Sequence, residues 1–251
     1  KYSLATNETI LHGYKKLDPI LPIFFFLITF GTMFTIQTTV TIVTAGLASS
    51  VFGDIISVEI WTIIILLLSF FVLLIGKYKT LDKLIKYLII VLTISTILSF
   101  IYAGFNFSEP LYIKQIFPAD SNGIIFLIAF MGWMPAPLDV SVWNSLWTIE
   151  KRKQQKNYSS NSLFDFNLGY FGTAILGICF IGVGYFTLYG SEVILSESAV
   201  VFSNQLIQLY TDNLGGDWAY YLIAFAAFST MLSTTITALD ASPRAMGLAT
   251  E

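Results

Sequence analysis

The chain has 251 residues, 55% of them hydrophobic and only 12% charged, with a net charge of −3. A soluble domain carries about 25% charged residues, so this composition, with its 22 Phe and 13 Tyr, points to a polytopic membrane protein. It excludes disordered, fibrous, disulfide-framed and nucleic-acid-binding classes, since no basic footprint for phosphate exists.

Residues 2–14 read as the polar end of a helix with no signal-peptide pattern, and the chain is expected to be a piece of a longer protein. A bilayer core of ~30 Å needs ~20 apolar residues per helix. Six stretches meet that requirement: 20–50, 56–76, 84–105, 123–147, 168–189 and 218–239. Segment 191–210 is too polar to span, and its Val201, Phe202, Leu206, Leu209 and Tyr210 fit a short amphipathic helix on the surface. With these spans every Lys and Arg except Lys114 falls on one side, while Asp54, Glu59, Glu109, Asp120, Glu192 and Glu197 fall on the other. The positive-inside rule then places both ends in the cytoplasm. No repeat or soluble boundary interrupts residues 1–251, so one transmembrane domain is expected.

The fourth span holds the most unusual run, Gly132-Trp133-Met134-Pro135-Ala136-Pro137-Leu138-Asp139. Its prolines remove two amide donors and disfavour α geometry at the residues before them. The expected result is an unwound stretch near 132–138 joining two half-helices, whose free carbonyls and amides make a midplane ion site. A simple proline kink is the alternative. Asp139 is the one carboxylate deep inside a predicted span, Glu59 standing at the end of another, and a charge at that depth costs at least ~2.5–3.5 kcal/mol on insertion scales, so it is a functional candidate. It also fits a cap for the second half-helix.

The span 20–50 carries a stripe of threonines with Gln37, and a second cluster follows at Ser229, Thr230, Ser233, Thr234, Thr235 and Thr237. Such side chains either line a hydrated path or pack helices together. Gln37 and Thr234 are the pathway candidates. Cys179 is the only thiol, so no intrachain disulfide forms. With His12 as the only imidazole, a His/Cys zinc centre is excluded and a Ser-His-Asp triad is disfavoured. Neither an enzyme nor a bound cofactor is expected.

The run Gly132–Trp147 (GWMPAPLDVSVWNSLW) resembles the broken sixth helix of the Nramp family of divalent-metal transporters, especially bacterial Nramp-related proteins. Tyr2–Leu17 resembles the cytoplasmic end of the family's second helix, and Ser229–Thr237 its Ser/Thr-rich eighth. The resemblance implies an all-α, LeuT-like five-plus-five inverted-repeat fold, present as its middle six helices with one discontinuous. It implies that Met134 gives a thioether and Met131 a backbone carbonyl to the metal, with Asp139 a further metal candidate. Soft sulfur favours Mn²⁺ and Fe²⁺ over Mg²⁺ and Ca²⁺.

Three departures stand beside it. The family's Met-Pro-His-Asn reads Met134-Pro135-Ala136-Pro137, and its acidic proton path along the third helix is replaced by Gln37 and threonines. The first broken helix with its Asp-Pro-Gly-Asn ligands is not in this chain. The reading is therefore a secondary transporter of a divalent metal cation in a bacterial inner membrane, working by alternating access, with protons in doubt as a second cargo. The alternatives are a passive carrier preferring Mg²⁺, a same-fold transporter of an organic solute, and a non-transporting membrane sensor.

Overall fold

The structure, a computed structural model, describes residues 2–53, 55–75, 78–108, 117–133, 138–154, 158–188, 195–196, 198–214 and 217–250. In chain order the helices are α1 (Tyr2–Thr6), α2 (Ile10–Leu17), α3 (Ile20–Phe52), α4 (Val58–Ile75), α5 (Tyr78–Asn106), α6 (Ser121–Trp133), α7 (Leu138–Gln154), α8 (Tyr158–Leu188), α9 (Ala199–Leu214) and α10 (Asp217–Ala249). The described residues contain no strand, and the all-α class expected from composition holds.

Among the described residues five helices are long and apolar enough to cross a membrane: α3, α4, the 89–106 part of α5, the 166–188 part of α8 and the 219–249 part of α10. Large side chains such as Phe24, Leu67, Phe71 and Phe171 stand exposed along them, as a helix surrounded by hydrocarbon requires. This is an integral membrane protein. The fourth predicted span takes in the short apolar helix α6 and much of α7. Of the unwound stretch expected near 132–138, residues 134–137 lie outside the described residues.

Helix ends follow local chemistry. Pro19 separates α2 from α3, and Asp18 accepts the Ile20 N–H at 2.8 Å through Oδ1, a side-chain cap for the first turn of α3. At the far end of α3, Gly53 adopts φ +85°, a left-handed conformation open to glycine at no steric cost.

The chain forms two compact units, Lys1–Gly31 with Ser108–Leu163 and Ala241–Glu251, and Thr32–Phe107 with Phe164–Asp240. In the first, α1 and α2 lie on α7. Ser145 Oγ accepts the Ile10 N–H at 3.2 Å, and Arg152 Nη1 donates to the Leu4 carbonyl at 2.6 Å. Before α2, Glu8 meets Lys16 Nζ at 2.6 Å and the Tyr2 hydroxyl at 3.0 Å.

In the second unit, α3 and α10 join along a polar seam. Thr44 and Thr235 share a hydrogen bond at 2.9 Å, and Gln37 Nε2 donates to Thr41 Oγ1 and to the Thr235 carbonyl. Below it, Leu47, Ile207, Tyr210, Ile223 and Ala224 form an apolar cluster shared by α3, α9 and α10. On α8, Gly182 faces the ring of Phe100 of α5 so closely that any Cβ would overlap it. The amphipathic helix expected at 191–210 appears as α9, with Ser203, Ile207 and Tyr210 buried and Val201 exposed.

Two outcomes follow. Thr44 Oγ1 also donates to the Val40 carbonyl at 2.6 Å, so Thr44→Val should cost only about 0.6 kcal/mol, a typical interhelical hydrogen bond in a membrane. Thr44→Leu, overpacking a fully buried position, should cost about 1–3 kcal/mol in denaturant titrations of the reconstituted protein. The Glu8–Lys16 pair sets the second. The Lys16 hydrogen bond, then that of Tyr2, holds the Glu8 carboxyl below its usual 4.5, and Glu8 holds the Lys16 ammonium above 10.5. The pair therefore contributes fully between about pH 5 and 10. Its contribution fades as pH falls through the lowered Glu8 value and as pH rises through the raised Lys16 value. A nitroxide at Thr6 should keep constant mobility across that window and loosen on either side.

Candidate functional site

The site is best built from α7, because one face of that helix is buried. Asp139, Val142, Trp143 and Ser145 have 3, 0, 7 and 4% exposure, a spacing that places them on neighbouring turns. Asp139 sits in the first turn of α7, where the helix dipole favours a negative charge. Its Oδ1 accepts a hydrogen bond from Thr29 Oγ1 of α3 at 2.8 Å, and Thr29 is itself fully buried.

The arrangement has two consequences. One carboxylate oxygen is engaged by a neutral hydroxyl, which leaves the other with acceptor capacity for a metal ion or a proton. One turn along the same face, the Trp143 Nε1–H is buried with no hydrogen-bond partner among the described residues, a donor that suits a water or other oxygen at this face.

The remaining sequence candidates are dispersed. Met134 lies outside the described residues. Met131, on α6, exposes 72% of its surface, and nothing described engages its carbonyl. Gln37 is half-buried and spends its amide on the α3–α10 seam, beside the buried Thr235. Thr234 is exposed, its hydroxyl donating to the Thr230 carbonyl of its own helix at 3.1 Å. Among the described residues no three His, Cys, Asp or Glu side chains converge.

Sequence reasoning passed over two residues. Thr29 stood in the stripe as one threonine of several, and only burial at the α7 crossing distinguishes it. Asp240 is half-buried within α10, which continues past the expected end at residue 239 as far as Ala249. The signal was available: Asp240 is the one acid between the Ser/Thr-rich cluster and Pro243.

If the Thr29 bond is structural, Asp139→Asn should fold, because its carbonyl oxygen still accepts from Thr29 and only the dipole contribution, about 0.3–1 kcal/mol, is lost. Asp139→Ala removes the acceptor of a buried hydroxyl and should cost about 1–3 kcal/mol. Thermal unfolding of both variants in detergent checks the order.

A family model described as natural resistance-associated macrophage protein-like, Nramp, matches residues 13–248. An uncharacterized protein of Pasteurella multocida (strain Pm70) is 36% identical over 249 residues, 97% of this chain. The chain spans 57% of that relative's length. No solved structure matches. The family match runs from α2 through α10, covering the buried face of α7 and both polar helices of the seam, and the chain belongs to the Nramp family.

Proposed function

We propose that the protein is a secondary transporter that moves a divalent metal cation, Mn²⁺ or Fe²⁺, across a bacterial inner membrane by alternating access. The observation that carries the reading is a carboxylate, Asp139, buried at the start of a half-helix beside the Met134–Pro137 run in an Nramp-family chain. In this reading the fold is LeuT-like, α6 and α7 are the two halves of its sixth helix, and both ends of the segment are cytoplasmic. The metal at the break is held by the Met134 thioether and the Met131 carbonyl, with Asp139 within reach of the same hydrated space. Half-helix ends supply the complementary partial charges.

Proton coupling is weak in this reading. Gln37 and its neighbouring threonines, which cannot titrate, occupy α3 where the family carries acids, and Gln37 is engaged in the seam. Uptake then follows the metal gradient and the membrane potential.

The test is uptake into proteoliposomes holding the full-length protein and an internal pH dye. Met134→Ala should weaken Mn²⁺ and Cd²⁺ uptake far more than Mg²⁺ or Ca²⁺ uptake, because only the softer ions gain from sulfur. A uniform loss across all four ions would assign Met134 to packing. Internal acidification should stay small during Mn²⁺ entry. Strong acidification that survives in Asp139→Asn would overturn the weak coupling and place the proton carrier elsewhere in the protein. Absence of any metal flux would favour an organic solute or a sensor.

A further inference from the structure

A cavity of about 570 Å³ lies within the second unit, bounded by α3, α5, α8, α9 and α10. Leu47, Leu92, Phe180, Leu206, Ala227 and Met231 line it from the five helices. Its volume falls within the about 300–1,000 Å³ typical of small-molecule sites. Its chemistry is unlike that of an ion path.

Two of the hydroxyls on its wall turn to carbonyls of their own helices. Thr96 donates to the Leu92 carbonyl at 2.8 Å and lies 3.4 Å from the Tyr210 hydroxyl, and Thr230 donates to the Ala226 carbonyl at 2.8 Å. Burial pushes the Tyr210 phenol above its usual 10, so it stays neutral. An apolar space of this kind does not hold water. Left empty, its lining would forfeit dispersion contacts on one side. A hydrocarbon occupant satisfies both conditions.

Access selects which hydrocarbon. Ile89 of α5 and Phe180 of α8 line the cavity and are also strongly exposed. Both belong to helix segments apolar enough to cross a membrane, and acyl chain is the hydrocarbon that such segments meet. The helix closing the cavity elsewhere, α9, presents Ser203, Ile207 and Tyr210 inward.

We propose that this cavity is a binding site for one acyl chain of a membrane phospholipid, entering between α5 and α8 and ending against α9. The occupant is an unbranched chain, since the wall offers apolar contact and no charged side chain to read a headgroup. This site is independent of the metal-transport reading.

The probe is phosphatidylethanolamine carrying a diazirine near the end of one acyl chain, mixed at trace level into vesicles holding the full-length protein. After illumination, adducts are mapped by peptide mass spectrometry. Adducts should concentrate on the α9 and α10 lining, around Leu206 and Met231, above the level at the outward-facing Phe70 and Phe71 of α4. Ala227→Leu and Ala227→Phe fill the space. Each should reduce cavity adducts roughly tenfold, as expected when about two methylenes are denied burial, while leaving adducts at Phe70 and Phe71 unchanged.

Cavity adducts no denser than those on α4, or unaffected by filling in a variant with wild-type helicity, would overturn the proposal. So would displacement of the probe by free fatty acid but not by unlabelled phospholipid, which would assign the site to a free acid. Competition by excess unlabelled phospholipid in the wild type provides a readout that needs no variant. Persistence of the adducts under that excess also counts against the site.

Discussion

Backbone amides and carbonyls have no water to turn to inside a bilayer, and the rest of this structure depends on that constraint. Its apolar helices run uninterrupted through 18 to 33 residues. Many of their hydroxyls obey the same rule: Thr41, Thr44, Ser95, Thr96 and Thr187 each return a hydrogen bond to a carbonyl one turn back, whereas those of Ser69 and Ser99 are buried with no partner among the described residues. A threonine satisfied within its own helix is tolerated in hydrocarbon, and a second contact such as Thr44 with Thr235 then ties two helices together.

Helix α7 combines two duties. Its first turn holds the buried Asp139 against Thr29, and further along Ser145 and Arg152 hold α2 and α1 through backbone groups. Both attachments are hydrogen bonds to main-chain or neutral partners, which retain their geometry when surrounding charge changes. The carboxylate and the N-terminal segment are thus parts of one body, and a displacement of α7 is shared by both.

The all-helical class was legible because it rests on composition and on long apolar runs, and five of the six expected stretches coincide with helices long and apolar enough to cross a membrane among the described residues. The break expected at Pro135 and Pro137 falls on residues outside those described. Pairings between distant positions were not. Thr29 and Asp139 are separated by 110 residues, and nothing in the periodicity of either helix distinguishes Thr29 from Thr32 or Thr35. Gln37 read equally well as path or packing, and its bonds to Thr41 and Thr235 depend on a helix crossing that no local pattern encodes. The end of α10 was misplaced for a different reason. The expected span followed the apolar run to residue 239, yet the helix continues and accommodates Pro243 in its interior, as helices packed against protein do when neighbouring groups satisfy the freed carbonyl.

Helix lengths carry a mechanical consequence for the membrane itself. At 1.5 Å per residue, the 33 residues of α3 and of α10 each extend ~50 Å. Both exceed a ~30 Å hydrocarbon core and must tilt or project from it. The bilayer beside these two helices therefore sets how far each leans or emerges. Lipid thickness becomes a variable that acts on the helices directly, each ångström of mismatch costing a fraction of a kcal/mol.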